Sequence, residues 1–334
     1  MSRGGTDWRP SATPARLQAR AALLARTRAF FAARGVLEVD TPLLVNAAVS
    51  DVHIHSATAR LGAQRGASAQ FFLHTSPEYA MKRLLAAGSG DIYQVCHVMR
   101  GLEYGRLHNP EFTLIEWYRS GATLEALMDE VATLVRELLG SAATQRADER
   151  LSYRDAFLRE LALDPFAASV SELAQVAAGV GFDAARPHTA GGNAAQRDEL
   201  LELLMGALVG PRLGAGALTF VYGYPATQAA LARLDTRDPR TARRFELYCD
   251  GIELANGFHE LAQAAEQRAR FEQDNAERRR LGLPVHALDE RLLAALTAGL
   301  PDCAGVALGF DRTVMLATGA THIDEVLAFP TRRA

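Results

Sequence analysis

The sequence predicts an α+β fold in which helices flank an antiparallel sheet. Two hairpins indicate the sheet, one formed by residues 93–99 and 112–118, the other by the apolar runs on either side of residues 250–251. A helix over residues 14–34 precedes both, because its apolar residues recur at helical spacing and Pro14 suits a first helical turn. Antiparallel pairs accompanied by helices are typical of the α+β class.

Composition and charge limit the possible functions. The chain has 334 residues, of which 49% are hydrophobic and 22% charged, as in soluble globular proteins. Its net charge of −3 gives no basic field for non-specific nucleic-acid binding. Three widely separated cysteines without a CxxC pattern predict neither a disulfide framework nor a zinc site. With no apolar run near the ~18–20 residues of a membrane span and no apolar signal region, we expect a cytoplasmic protein with reduced thiols.

The first third of the chain contains two short strands with informative ends. The helix stops at Gly35, and a strand over residues 36–39 follows. Another strand over residues 71–74 leads into a helix, with Ser76 as its N-cap and Pro77 at its first position. Glu78 then lies in the first helical turn, where it either complements the helix dipole or binds an amine.

The loop between the strands of the first hairpin, residues 100–109, is unusually long. Loops of this length are usually functional or disordered. The alternative is a solvated loop with ordinary charges. The side chains in it that could contact an anion or a base are Arg100, Glu103, Arg106, His108 and Asn109.

The dipeptide Asp-Gly at residues 250–251 is a strong signal for the second hairpin. A two-residue turn would place Tyr248 opposite Glu253 and Glu246 diagonal to Glu253, at roughly 7–8 Å. Two carboxylates on one face repel each other unless a divalent cation or an amine lies between them. The alternative is two glutamates on a solvated sheet face.

The last strand has a distinctive surface. Small residues alternate at Gly305, Ala307 and Gly309, so one face of the strand is open to the close approach of a ligand. Arg312 follows near the start of a helix, where an anion is favoured. The segment by itself is a weak signal, and its meaning depends on the other motifs.

Taken together, these stretches resemble the three motifs of class II aminoacyl-tRNA synthetases of the lysyl type. The motifs correspond to residues 14–42, 100–118 and 305–312, and residues 251–258 match the lysyl-specific strand. The resemblance implies a single class II synthetase-like catalytic domain over residues 1–334. Residues 140–215, which are Ala-rich and carry no catalytic pattern, are predicted to be a helical insertion on the edge of the core.

Three departures refine the resemblance. The first motif begins near residue 14, so no anticodon-binding OB domain is expected, and Ala307 stands where lysyl synthetases have glycine. Both features, with the sequence Thr-Ser-Pro-Glu at 75–78, resemble the stand-alone paralogues that lysylate elongation factor P. Leu102 stands where family members usually have glutamate; either Glu103 substitutes for it or the contact is absent.

The resemblance implies ATP-dependent activation of (R)-β-lysine or lysine, with Mg²⁺, and transfer to elongation factor P. It also implies a homodimer that pairs through residues 14–42. The missing domain and the net charge argue against tRNA as a partner. The alternatives are a truncated synthetase that acts on tRNA or a carrier, and a non-catalytic synthetase-like regulatory protein.

Residue roles follow from the resemblance position by position. Arg100 and Arg312 match the catalytic arginines, and Glu246 and Glu253 match the Mg²⁺ ligands. The positions matched to ATP binding are Arg100, Gly101, Leu102, Glu103, His108, Asn109, Phe112, Glu246, Leu247, Gly309 and Arg312. The positions matched to substrate binding are Ser76, Pro77, Glu78, Tyr118, Glu253, Asn256, Phe258, Glu260 and Ala307.

The methyl group of Ala307 generates a prediction about substrate choice. We expect Ala307→Gly to change the preference between α-lysine and its β-amino isomer by ~1–3 kcal/mol. One methyl group in a binding pocket favours or disfavours a substrate by about that amount. The ratio of kcat/KM values for the two isomers in pyrophosphate exchange measures it. An unchanged ratio would show that the methyl group does not select the substrate.

Overall fold

The computed structural model describes residues 8–62, 69–140, 143, 145–181 and 192–334. Within these ranges the framework is a sheet of eight strands, with a smaller sheet of three. The strands are β1 Leu37–Glu38, β2 Leu44–Val45, β3 Thr58–Leu61, β4 Ala69–Leu73, β5 Ile92–Met99, β6 Glu111–Ser120, β7 Ala147–Ser152, β8 Ala217–Tyr222, β9 Arg244–Cys249, β10 Ile252–His259 and β11 Cys303–Gly309. The helices are α1 Pro14–Ala32, α2 Glu78–Ala86, α3 Leu124–Leu139, α4 Tyr153–Leu161, α5 Val170–Ala178, α6 Gly192–Leu204, α7 Ala264–Arg280, α8 Glu290–Gly299 and α9 Phe310–Thr318.

The strand order of the large sheet is β1-β5-β6-β11-β10-β9-β8-β7. Every pair in its middle is antiparallel, and only the two edge pairs, β1 with β5 and β7 with β8, are parallel. The predicted α+β class with an antiparallel sheet is therefore confirmed. Strand β11 lies between β6 and β10, so the strands of residues 112–118, 251–258 and 305–312 lie side by side at the centre of the sheet, whereas the strand of the first motif, β1, lies at its edge.

The hairpin of β9 and β10 has the predicted two-residue turn. Asp250 and Gly251 both have positive φ, at 50° and 74°, which suits the twist of a tight hairpin. A side chain at Gly251 would also come within 2.6 Å of the carbonyl oxygen of Pro211. The predicted pairing of Tyr248 with Glu253 is confirmed, but a register shift follows immediately after Glu253.

One face of the sheet packs against helices, and the other bounds a cavity. Helices α1, α3 and α9 cover the first face and bury a large apolar cluster. Phe31 of α1 stacks on Tyr93 of β5 with 4.2 Å between ring centroids, and Trp117 of β6 packs beside it. Helices α2, α7 and α8 enclose the other face with a second apolar cluster. Alternation along each strand therefore separates core residues from cavity residues.

Residues 140–215, predicted to be a helical insertion, are partly strand. Strand β7 joins the edge of the large sheet in parallel with β8, and helices α4, α5 and α6 pack into an apolar cluster beside it. The prediction missed β7 because parallel pairing requires no tight turn, so no local turn signal accompanies it. Positions 141, 142, 144 and 182–191 of this segment lie outside the described residues.

Helix α2 begins at Glu78, one position later than predicted. Pro77 precedes the helix, and the Ser76 hydroxyl accepts a hydrogen bond of 3.0 Å from the Glu78 amide. The same hydroxyl donates to a side chain of β6, as described below. Throughout the described ranges, no helix combines the length and the apolar character that crossing a membrane requires.

Asp311, the second residue of α9, joins three parts of the chain. Its carboxylate forms an ion pair with Arg20 of α1, and its Oδ2 accepts a hydrogen bond of 2.7 Å from the Thr113 amide of β6. Arg20 also donates to the Thr113 hydroxyl at 2.7 Å. Asp311 is only 2% exposed, so these contacts satisfy a buried carboxylate.

Removing the Asp311 carboxylate should cause a large loss of stability. Asp311→Ala should lower the free energy of unfolding by ~3–5 kcal/mol, because it leaves the largely buried Arg20 guanidinium without its partner. Urea denaturation of both proteins measures the difference. Arg20→Met in the Asp311→Ala background removes the unpaired cation and should recover part of the loss. If the free energy of unfolding of Asp311→Ala lies within ~1 kcal/mol of the wild-type value, the ion pair does not have this role.

Candidate active site

The face of the sheet that helices α2, α7 and α8 enclose bounds a cavity of about 1610 Å³. Sixteen predicted site residues line it. They are Ser76, Pro77, Glu78, Arg100, Glu103, His108, Asn109, Phe112, Tyr118, Glu253, Asn256, Phe258, Glu260, Ala307, Gly309 and Arg312. Four others, Gly101, Leu102, Glu246 and Leu247, lie outside this lining.

The strand register explains why distant residues meet here. Ala307 of β11 pairs with Glu116 of β6 on one side and with Asn256 of β10 on the other. Two residues along the strand, Gly305 pairs in the same way with Tyr118 and Phe258. Side chains two apart on a strand share a face, so both rows point into the cavity.

Position 305 requires glycine because neighbouring side chains leave no room for a Cβ atom. A Cβ atom at this position would lie 2.3 Å from the Tyr118 ring and 2.6 Å from Oε1 of Glu260. At Gly309, by contrast, the nearest atom would be 3.6 Å away, an ordinary contact. The bare face predicted for this strand is therefore filled at one end by Tyr118 and Glu260 and open at the other.

Arg100 lies at the end of the cavity formed by the long loop. Its guanidinium lies 5.2 Å from the centroid of the Phe112 ring, and its Nε donates weakly to the Thr75 carbonyl at 3.4 Å. Glu103 lies 3.7 Å from it, whereas Leu102 is 70% exposed. Glu103, and not Leu102, therefore occupies the place beside the arginine. The amide of Gly101 donates to the His55 carbonyl at 2.7 Å and anchors the loop.

Arg312 is the second cation of the cavity. Its Nη1 donates to the Glu253 carbonyl at 2.8 Å and lies 3.3 Å from the Glu253 carboxylate. Its Nη2 lies 2.7 Å from Nε2 of His108, which has to accept the bond and is therefore neutral. Burial first, and the charge of Arg312 second, lower the pKa of His108.

Asn109 holds the loop to the C-terminal segment. Its amide nitrogen donates to the Glu111 carbonyl at 2.6 Å and to the Thr331 hydroxyl at 3.0 Å. Its amide oxygen accepts from the Thr331 backbone at 3.1 Å. Both ends of the side chain have protein partners, so in this structure Asn109 supports the loop. Its role as a nucleotide contact stays a prediction.

Glu246 is more enclosed than the sequence suggested. It binds Arg244 at 2.5 Å, the Tyr224 hydroxyl at 2.6 Å and the Tyr248 hydroxyl at 2.5 Å, and it is 8% exposed. The register shift after Glu253 places it opposite Asn256. Burial raises its pKa, and the charge of Glu253 contributes to the rise, so the two carboxylates interact. Its neighbour Leu247 is fully buried in the core.

A cluster of three carboxylates, two of them buried and one half-buried, lies towards the opposite end of β6 from Arg100. We call Glu78, Glu116 and Glu260 the carboxylate cluster. Lys82 Nζ lies 2.6 Å from Glu78 Oε1 and 2.6 Å from Glu260 Oε2. Oε1 of Glu260 is buried and has no hydrogen-bond donor among the described residues. The cluster thus holds an acceptor that is ready for a donor from outside the protein.

Glu116 completes the cluster from β6. It accepts hydrogen bonds of 2.7 Å from the hydroxyls of Ser76 and Tyr118. Burial, with the neighbouring charge of Glu78, raises its pKa to about 7. Burial also raises the pKa of Glu260 to about 8, although Lys82 acts in the opposite direction. Crowded carboxylates in a dry site resist ionisation until a cation arrives.

Sequence reasoning missed three residues of this site: Lys82, Glu116 and Arg244. Glu116 shares its strand face with Tyr118 two positions on, and Lys82 follows Glu78 by one helical turn, so periodicity could have found both. Arg244 lines the cavity and neutralises Glu246. The only sequence feature that could have identified Arg244 as a site residue was its position two residues before Glu246 on the same strand.

The comparisons with known proteins agree with this geometry. The sequence model of the class II tRNA synthetases (D, K and N) matches residues 4–333. The chain belongs to this family. Because the match covers nearly all of the chain, the class II fold accounts for the sheet, the flanking helices and the cavity together.

Similar proteins narrow the comparison within the class II family. Elongation factor P–(R)-β-lysine ligase of Vibrio cholerae serotype O1 is 50% identical over 333 residues, which are 98% of this chain and 99% of that protein. The ligase of Vibrio vulnificus is 50% identical over 326 residues, 97% of this chain and 98% of that protein. The ligase of Edwardsiella ictaluri is 49% identical over 329 residues, 98% of both.

The contact between Arg312 and His108 predicts the titration of the histidine. In the wild type, His108 should titrate below its ordinary pKa of about 6.5, because burial and Arg312 disfavour the imidazolium. Arg312→Gln should raise the pKa of His108 by removing the nearby positive charge. Imidazole NMR signals followed over pH measure both values. If His108 titrates at or above 6.5 in the wild type, or does not respond to Arg312→Gln, the assignment is wrong.

Proposed function

We propose that this protein is an ATP-dependent ligase that activates (R)-β-lysine, or lysine, and transfers it to a lysine side chain of elongation factor P. The observation that carries the proposal is the polarity of the cavity. Two cations, Arg100 and Arg312, lie at one end, and the buried carboxylate cluster lies at the other. The names and high identity of the relatives support the same substrates.

The substrate chemistry fits the two ends. A lysine isomer carries one carboxylate and two ammonium groups, and an unpaired ammonium is costly to bury. The carboxylate cluster supplies partners for the ammonium groups, with the free oxygen of Glu260 and the Tyr118 hydroxyl beside it. Arg100 donates to the Thr75 carbonyl, and the next residue, Ser76, donates to Glu116 of the cluster, so one small substrate can reach both ends. The substrate carboxylate therefore points along the sheet towards Arg100.

The first reaction step needs charge neutralisation and alignment. A carboxylate oxygen of the amino acid attacks the α-phosphorus of ATP, a P–O bond forms, and the bond to pyrophosphate breaks. Arg100 has a planar guanidinium that can bind the carboxylate and the α-phosphate together. Arg312, which donates to the Glu253 carbonyl and to His108, is the residue proposed to bind the far phosphates. Such fixed donors stabilise the charge that develops in the transition state.

The second step transfers the acyl group to the acceptor protein. The ε-amine of an acceptor lysine attacks the carbonyl carbon of the adenylate, a C–N bond forms, and the C–O bond to AMP breaks. The departing proton of the amine goes to water or to the phosphate of AMP. No covalent enzyme intermediate is required. The open rim of the cavity is the side from which the acceptor side chain enters.

Glu253 and Glu246 are the residues proposed to hold Mg²⁺. Their donor chemistry fits, because Mg²⁺ is usually bound by one or two carboxylates together with substrate phosphates, and Glu253 lines the cavity. The described residues contain no group of three or more His, Cys, Asp or Glu side chains suited to a metal ion. The ion would neutralise phosphate charge. Glu246 would first have to exchange contacts with Arg244 or the two tyrosines.

Two further proposals concern assembly and location. We infer a homodimer through residues 14–42, supported by the exposure of Leu37 at 55%, with Leu43 and Leu44 also exposed next to it. Sedimentation velocity can check it. A cytoplasmic location is supported by the three cysteines, Cys96, Cys249 and Cys303, which are all free thiols.

The function is tested with pyrophosphate exchange and acceptor mass. The wild type should show exchange that depends on (R)-β-lysine or lysine, and elongation factor P should gain the mass of one lysyl group. Arg100→Gln should lower kcat by about 10²–10³-fold, the usual cost of one charge-stabilising donor. Arg106→Gln is the matched control, because Arg106 belongs to the same loop but does not line the cavity.

Each outcome separates the alternatives. Charging of tRNA without modification of elongation factor P would favour a truncated synthetase. Absence of exchange with either isomer would favour a non-catalytic protein. Equal losses in Arg100→Gln and Arg106→Gln would contradict the role assigned to Arg100.

A further inference from the structure

Lys82 is unusual in this chain by its residue type alone. It is the only lysine, and every other residue among the 36 basic ones is arginine. It is also among the most buried, at 1% exposed. A lysine ammonium is a compact point charge on a flexible stem, so it can lie close to an oxygen of each of two carboxylates at once.

The contacts of Lys82 join two elements on opposite sides of the cavity. Glu78 precedes it by one turn of α2, so the two side chains share a helix face. Glu260 follows the end of β10, and its Oε2 lies 2.6 Å from Lys82 Nζ. The ammonium therefore fixes a helix carboxylate and a strand carboxylate relative to each other. Oε1 of Glu260 has no donor among the described residues.

The charges of the site also require Lys82. Three carboxyl groups converge here, and one ammonium balances one of them. If all ionise, two negative charges remain, which equals the number of ammonium groups on a lysine isomer. Without Lys82, three carboxylates would crowd a dry site, and the free protein would take up protons in place of substrate.

We propose that Lys82 is a positioning residue for the amino-acid substrate: its ammonium fixes Glu78 and Glu260 and balances part of the negative charge of the carboxylate cluster, so that both carboxylates can bind the substrate ammonium groups. The inference rests on the proposed function, since it takes a lysine isomer as the ligand. It assigns Lys82 no contact with the reacting atoms.

Several other titratable groups face this pair, and they define the pH range of the test. Burial raises the pKa of Tyr79, Tyr118 and Cys303, so all three stay neutral below pH 8.5. Burial lowers the pKa of His259, so it is neutral above pH 7. The charged groups of the surroundings are Glu116 on β6, Arg233 and Asp302 near Glu260, and Asp51, Asp274 and Asp289 near Tyr79.

Calorimetry of lysine and (R)-β-lysine binding, without ATP, tests the proposal. Titrations at pH 7 in two buffers of different ionisation enthalpy give both Kd and the number of protons released. Lys82→Met should raise Kd roughly 30-fold, as for one partner of a buried charge pair. It should also release more protons than the wild type, because its carboxylates are more protonated before binding.

A second variant separates charge from packing. Lys82→Arg keeps the positive charge, so proton release should stay near that of the wild type, while Kd rises because the larger guanidinium displaces the carboxylates. It also tests the idea if Lys82→Met does not fold. Arg159→Met is the matched control, because it removes a cation from the exposed ion pairs of α4, outside the cavity lining.

The outcomes distinguish this inference from the proposed function. If the wild type binds neither isomer, both the proposed function and the inference are wrong. If the wild type binds one of them but Lys82→Met shows the same Kd, only the inference falls. If Lys82→Met shows a raised Kd but the proton release of the wild type, Lys82 has a structural role alone, which also overturns the inference.

Discussion

The buried ion pair of Asp311 with Arg20 is the interaction on which the site depends most. It connects α1, β6 and α9, which are far apart in the sequence, through one carboxylate and the Thr113 amide. The next residue, Arg312, enters the cavity. Because a buried carboxylate tolerates little displacement without losing its partners, the junction fixes the start of α9 and with it the position of Arg312.

The cavity itself is organised by opposite charges at its two ends. Arginines lie at the loop end and buried carboxylates at the other, with Ala307 and the glycines of β11 between them. Lys82 keeps the acidic end from being purely repulsive. Under the proposed function, a molecule with a carboxylate and two ammonium groups is expected to bind in the one orientation that matches these charges.

Several details depended on contacts that the sequence does not encode locally. The register at Asp250 and Gly251 was predictable because turn chemistry is local, whereas the shift after Glu253 was not. Strand β7 was missed because its partner β8 lies far along the chain. The contact of Asn109 with Thr331 joins residues 222 positions apart, and sequence periodicity does not predict such a pair.

The sequence by itself determined the α+β class, the two hairpins and the family, because turn residues, strand alternation and motif order are all read along the chain. Only the tertiary structure decided that Glu103 lies beside Arg100, that Glu246 is enclosed by Arg244 and two tyrosines, and that Lys82 lies between Glu78 and Glu260. The physical reason is burial. The charge state and the partners of a buried group depend on every element packed around it, and those elements come from distant parts of the chain.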